Sequence, residues 1–119
     1  MSILCLYGIP NCNSVKKACD WLDSHKIDYL FYDFKKIDVS QFLLVNWLTQ
    51  VSHEKLINRN GTTWRGLDAA TKSALIDDNA FIKLMQNKPS VIKRPILEKD
   101  GKIITVGFDA QLYTELFKP

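Results

Sequence analysis

Hydrophobic positions change period several times along the chain, and each change marks an element. Ile3-Leu4-Cys5-Leu6-Tyr7 is a short, fully apolar run closed by Gly8 and Pro10, the pattern of a buried strand. Val15, Ala18, Cys19 and Leu22 then recur at i, i+3, i+4 and i+7, which predicts an amphipathic helix over about residues 13–25. Residues 29–34 (Y-L-F-Y-D-F) are rich in aromatics and read as a second buried strand. Strand, helix, strand in this order makes the two strands parallel, joined by a right-handed crossover.

From about 38 to 88 the pattern is helical. Residues 39–51 carry apolar side chains almost all round, which predicts a helix packed on more than one side. Ser52 caps a short helix through Ile57. Residues 67–78 and 79–88 read as two more helical stretches, and Pro89 ends the second. Val91-Ile92 leads into Pro95, after which Ile96-Leu97-Glu98 and Ile103-Ile104-Thr105-Val106 flank Asp100-Gly101. Asp-Gly between two apolar runs signals a hairpin, with a loop of two or four residues. Asp109 caps a closing helix to about Phe117. The order βαβ, helical block, ββα is the layout of an α/β, thioredoxin-like domain with a mixed four-stranded sheet. One domain is expected, its thioredoxin-like part at about 1–37 and 89–119 and its helical insertion at about 38–88.

Composition narrows the class. A chain of 119 residues suffices for one domain that buries roughly two-thirds of its unfolded surface. At 46% apolar and 24% charged it has a globular profile. No apolar run approaches the ~20 residues of a membrane span. Met1-Ser2-Ile3-Leu4 has neither a basic n-region nor a small-residue cleavage site, so no signal peptide is read and the expected location is cytoplasmic, with no membrane partner. The net charge of +3, from 16 Lys and Arg against 13 Asp and Glu, is dispersed. Without a dense basic stripe no nucleic-acid partner is expected, although a few cations can converge on one small anion. Three cysteines are an odd number for a disulfide scaffold, so each is either a buried hydrophobe or a reactive thiol.

Position separates the thiols. Cys12 follows the turn Gly8-Ile9-Pro10-Asn11 and stands where the first helix begins, among free backbone N–H groups at the positive end of the helix dipole. With one adjacent cation, a thiol pKa falling from ~8.5 to ~6 raises the thiolate fraction at neutral pH from a few per cent to about 90%. The other reading of Cys12 is a small buried residue in a strand-to-helix turn. Cys5 lies in the apolar strand and reads as core. Cys19 is two helical turns from Cys12, ~10 Å away and beyond disulfide reach without unwinding. Cys12-Asn13-Ser14-Val15 lacks the second cysteine of a C-x-x-C pair, so redox chemistry here calls for an outside thiol. Cation candidates are Lys16, Lys17, Arg59, Arg65, Lys93 and Arg94. Arg94 precedes Pro95 at a strand start, so its backbone is extended. In thioredoxin-like domains the equivalent proline is cis and faces the active cysteine, and an arginine there would point its planar five-donor fork at an anion beside the thiolate. The alternative is a surface arginine before an edge-strand proline. His25 and His53 have no partners at metal-ligand spacing and read as surface residues, so no metal is expected.

Four segments, G-I-P-N-C-N-S-V-K-K-A (8–18), L-I-N-R-N-G-T-T-W-R (56–65), I-K-R-P-I (92–96) and V-G-F-D (106–109), occur in an order and at separations that match a known family. Along essentially its whole length the chain resembles the ArsC/Spx/YffB family of arsenate-reductase-like proteins, most of all its YffB branch. The resemblance implies a thioredoxin-like fold with a helical insertion beside the sheet. It implies Cys12 as catalytic cysteine, Arg94 as the arginine before a cis-proline, and Arg59 as the second anion-binding arginine. Asn11, Lys16, Thr62, Thr63, Lys93 and Pro95 are then substrate-binding candidates, and Trp64 lines the cleft or belongs to the core. Arsenate reductases proper bring a third arginine after the last hairpin strand, where this chain has Gly107-Phe108-Asp109. Spx-type regulators commonly carry C-x-x-C, which Val15 breaks.

The resemblance implies first a glutathione-dependent thiol-disulfide reductase, with glutathione as co-substrate and no bound cofactor. Its partners are then glutathione, or a small thiol or oxyanion substrate. The second implied reading is an arsenate reductase using glutathione and glutaredoxin. The third is a non-enzymatic regulator that docks on RNA polymerase.

Overall fold

The computed structural model describes residues 3–118; Met1 and Ser2, the first half of the Met1-Ser2-Ile3-Leu4 stretch that lacks signal-peptide features, and Pro119 lie outside the described residues. Four strands, β1 (Leu4–Gly8), β2 (Leu30–Asp33), β3 (Ile96–Lys99) and β4 (Lys102–Val106), form one sheet in the order β2-β1-β3-β4. β1 runs parallel to β2 and antiparallel to β3, and β3 runs antiparallel to β4. Helix α1 (Asn13–Ser24) crosses from β1 to β2. Between β2 and β3 lie α2 (Gln41–Gln50), α3 (His53–Leu56), α4 (Thr62–Arg65), α5 (Ala69–Ser73), α6 (Asp78–Asn87) and a 3-10 turn, Pro89–Val91. Helix α7 (Ala110–Leu116) follows β4. This is a thioredoxin-like α/β fold with a mixed four-stranded sheet and a helical insertion. Backbone contacts divide the chain into two compact units, one of Met1–Asp33 with Arg94–Pro119 and the other of Phe34–Lys93.

In the sheet unit, the period-2 alternation of β1 and β3 sends Leu6 and Leu97 to one face. There they meet Ala18 and Leu22 of α1 and Tyr113 of α7, all fully buried. Trp21, Phe108 and Phe117 surround the Tyr113 ring. Asp109 caps α7 as expected, its carboxylate accepting from the N–H groups of Gln111 (2.9 Å) and Leu112 (3.1 Å). In the β3–β4 hairpin Lys99 pairs with Lys102, so the loop has two residues rather than four. Asp100 and Gly101 have φ of 52° and 83°, both positive as a type I′ turn requires. The Asp100 carboxylate also accepts from the Ile3 N–H at 2.8 Å, fastening the hairpin to the start of β1.

β2 corrects the expectation of a second buried strand. It is the sheet's edge, with Leu30 52% and Phe31 36% exposed. Aromatic content marks a strand but does not say whether a neighbour covers its outer side.

Gly8 ends β1 close against Val15 of α1. A Cβ built there would lie 2.6 Å from Val15 Cγ2, and Val15 is a β-branched, fully buried side chain with nowhere to turn. Gly8→Ala is therefore expected to cost about 1–3 kcal/mol in chemical denaturation. Adding Val15→Ala should not deepen that loss by the full cost of a second core truncation.

In the Phe34–Lys93 unit, α2 buries only Leu44 and Trp47, while Phe42 is 90% exposed and Val45 is exposed too. The prediction of packing on several sides is thus wrong, since one face suffices to seat α2 against α6, which buries Phe81, Ile82, Leu84 and Met85. Ser52 stands at the N-cap of α3, yet its hydroxyl makes no capping bond. That helix stops after one turn because Ile57 becomes extended and bridges Ile92. Residues 67–78 do not form one helix. Asp68 and Asp77 each take a backbone N–H, of Thr71 (2.7 Å) and Ala80 (2.9 Å), and so start two separate helices, α5 and α6. Helix α4 escapes periodicity because a single turn has no repeat to detect.

Candidate functional site

Cys12 is the N-cap residue of α1, extended at φ −111° and ψ 128°, with its own N–H bonded to the Ile9 carbonyl at 3.2 Å. Its carbonyl accepts the first helical bond, from Lys16 N–H at 2.9 Å. The sulfur is thereby left at the helix mouth, half-buried. Burial pushes the thiol up, but the Val15 N–H, the Arg94 guanidinium and the Ser14 N–H together outweigh it, and the pKa lies below the ordinary thiol value. Arg94 acts both as a hydrogen-bond donor and as a charge. The peptide bond Arg94–Pro95 is cis. Cys12 and Arg94, 82 positions apart in sequence, thus meet through the β1–β3 pairing.

The remaining thiols differ. Cys5 is buried in β1, where burial and then the Glu98 carboxylate push its pKa up. Glu98 is a carboxylate on the central strand β3, almost wholly buried, that accepts from the Tyr7 hydroxyl at 3.2 Å. Sequence reading passed over it as one polar residue in an apolar run. Cys19 is half-buried against the sheet unit's core. With Pro10, Val15, Lys16, Asp20 and Phe31 it lines a cleft of about 430 Å³ along α1. Lys16 therefore projects at that cleft, while Asn11 is exposed in the turn before Cys12 and Pro95 is buried.

Arg59, Thr62, Thr63 and Lys93 belong to the other unit. Residues 58–61 form a tight turn held at both ends: Asn58 N–H bonds the Val91 carbonyl (2.9 Å), and the Asn58 carbonyl accepts from Gly61 N–H (3.3 Å). Arg59 stands exposed on that turn, its guanidinium carbon 5.2 Å from the centre of the Trp64 ring. Lys72 of α5 brings its ammonium to 5.4 Å from the same ring. Each such contact is worth about 0.5–1 kcal/mol at an exposed site. Thr63 shares a 2.8 Å hydrogen bond with Ser90, fixing α4 to the 3-10 turn, while Thr62 and Lys93 are exposed. Trp64 is half-buried and so not a core residue. Lys72 had no sequence signal, since its link to Trp64 depends on the break between α4 and α5.

The histidines stack on aromatic rings, His25 on Trp21 at 3.8 Å and His53 on Phe81 at 4.0 Å. Because Phe81 is buried, His53 is part of the packing rather than simply a surface residue. Among the described residues no cluster of three or more His, Cys, Asp or Glu could hold a metal ion, and no helix is long and apolar enough to cross a membrane.

A model of the ArsC family matches residues 7–116. An uncharacterized protein from Haemophilus influenzae is 36% identical over 115 residues, covering 97% of this chain and 99% of that protein. Among solved structures, YFFB (PA3664) is 40% identical with a TM-score of 0.84, covering 94% of this chain and 96% of the other. An arsenate reductase (ArsC) related protein from Brucella melitensis is 43% identical with a TM-score of 0.76, covering 98% and 96%.

Proposed function

This chain belongs to the ArsC family, and we propose that within it the chain is a glutathione-dependent thiol-disulfide reductase whose nucleophile is Cys12. The observation that carries this reading is the Cys12 sulfur at the mouth of α1, with its pKa lowered by backbone N–H groups and Arg94 against the effect of burial. A thiol with its pKa lowered in this way carries more of the nucleophilic thiolate at a given pH than a free cysteine does.

The Cys12 thiolate attacks one sulfur of the substrate disulfide. A new S–S bond forms, the old one breaks, and the displaced sulfur leaves as a thiolate that takes a proton from water. A glutathione thiolate then attacks the carried sulfur, Cys12 departs as thiolate, and a second thiol completes the two-electron reduction. Arg94 stabilises Cys12 each time it becomes an anion, and Arg59 holds a carboxylate or oxyanion of the substrate. Asn11, Lys16 and Pro95 of the one unit and Thr62, Thr63 and Lys93 of the other are the remaining substrate-binding candidates. The second thiol comes from glutathione because the C-x-x-C position is Val15, a fully buried side chain packed at Gly8.

Arsenate is the poorer substrate in this reading. Where arsenate reductases proper bring a third arginine this chain has Gly107-Phe108-Asp109, without an arginine and with a carboxylate that caps α7. The experiment is a coupled assay of glutathione oxidation with a glutathione mixed disulfide or with arsenate plus glutaredoxin. Turnover of the disulfide well above that of arsenate is expected. Acceleration by arsenate and not by the disulfide overturns the proposal, and activity with neither favours a docking protein.

A further inference from the structure

We propose that Trp64 is a positioning residue for a two-cation anion seat made by Arg59 and Lys72, which fits the helical insertion to substrates carrying carboxylates. This rests on the reading of Arg59 given above and assigns parts to Trp64 and Lys72. One indole has both cations on it, at 5.2 Å and 5.4 Å from its centre, so the two charges lie no further apart than those distances combined. They come from different elements, the 58–61 turn and α5, and the ring is common to both. An exposed arginine on a turn otherwise samples many rotamers, and a ring beneath it removes much of that freedom before an anion arrives. The ring is itself fixed: α4 is tied to Ser90 through Thr63, and the turn before it is closed on Asn58. Gly61 belongs to the same device, because a Cβ there would lie 2.8 Å from the Asn58 side-chain nitrogen. Like charges gathered on one platform repel, and a carboxylate or a dianion relieves that repulsion where a neutral molecule does not. The seat therefore discriminates by charge, and its salt dependence follows.

The test compares the rate constants with which Cys12 reacts with two disulfides, the dianionic 5,5′-dithiobis(2-nitrobenzoate) and neutral bis(2-hydroxyethyl) disulfide, the modified residue being identified by mass spectrometry. The readout is the ratio of the two constants. Trp64→Leu should lower it about two- to five-fold, the size of a lost cation–π contact. Trp64→Phe should keep most of it, Lys72→Gln should lower it about two-fold, and added salt should shrink the wild-type preference. If Arg59→Gln lowers the ratio while Trp64→Leu does not, the proposal fails and the reading of Arg59 stands. If Trp64→Leu slows both disulfides equally, Trp64 is merely structural and the proposal fails as well. If Arg59→Gln itself leaves the ratio unchanged, the reading of Arg59 and the seat fall together.

Discussion

Cys12→Ser is expected to reduce disulfide turnover by roughly 10³-fold or more, the scale on which removing a nucleophile acts. Oxygen in place of sulfur stays protonated at every usable pH, and the N–H groups that stabilise a thiolate then have only a neutral hydroxyl to meet. The fold should survive, because the residue is the N-cap of α1 and serine is a favoured N-cap. Loss of activity with an unchanged or slightly raised thermal midpoint separates chemistry from misfolding. The same pair of proteins reports the linkage. A thiol whose folded pKa lies below its unfolded value contributes stability above the unfolded pKa, and that contribution is lost as pH falls through the folded pKa. The stability of the wild type relative to Cys12→Ser should therefore decline as pH falls from about 9 toward the folded pKa of Cys12 and level off below it. A difference independent of pH would mean that Cys12 is not an activated thiolate.

Arg94→Leu is the second large effect. The guanidinium is one of three groups that favour the thiolate, and the only one carrying a full charge. An opposite charge at hydrogen-bond distance is worth about 1–3 pKa units. The alkylation profile of Cys12 should therefore move to higher pH by about a unit or more, slowing the reaction about tenfold or more on the acid side of the profile and leaving its alkaline plateau nearly unchanged. The Val15 and Ser14 N–H groups remain, so the profile should not return fully to that of a model thiol. Cys5 and Cys19 serve as internal controls. Arg94→Lys, which restores the charge without the fork, should recover part of the shift. An Arg94→Leu profile superimposable on the wild type would remove the arginine from the proposed mechanism.

Long elements and their caps were legible in the sequence because they obey local rules. The α1 stripe, the Asp100-Gly101 turn and the Asp109 cap each need only neighbours within a few residues. The errors lie where a side chain's fate depends on distant strands or helices. The residues of β2 look buried until the sheet order makes β2 an edge, and the apolar circumference of α2 suggests burial that its neighbours do not provide. Cys12 stood out through its position after a Gly-Pro turn. Its pairing with Arg94 needed the register of β1 against β3, which the resemblance anticipated and spacing alone did not. The Arg59–Trp64–Lys72 arrangement was invisible, since no period links a turn, a one-turn helix and the helix after it.

The sheet unit is interrupted: Leu6 of β1 pairs with Leu97 of β3, and the whole of Phe34–Lys93 lies between them. A ribosome delivers β1, α1 and β2 first, with Leu6, Ala18 and Leu22 still missing Leu97 and Tyr113 from their cluster. At about 5–20 residues per second, the intervening segment takes roughly 3–12 s to synthesise. Throughout that interval the nascent chain presents an apolar face and an unpaired side of β1. The same strands that later position Cys12 are therefore those most in need of shielding by a chaperone while the protein is being made.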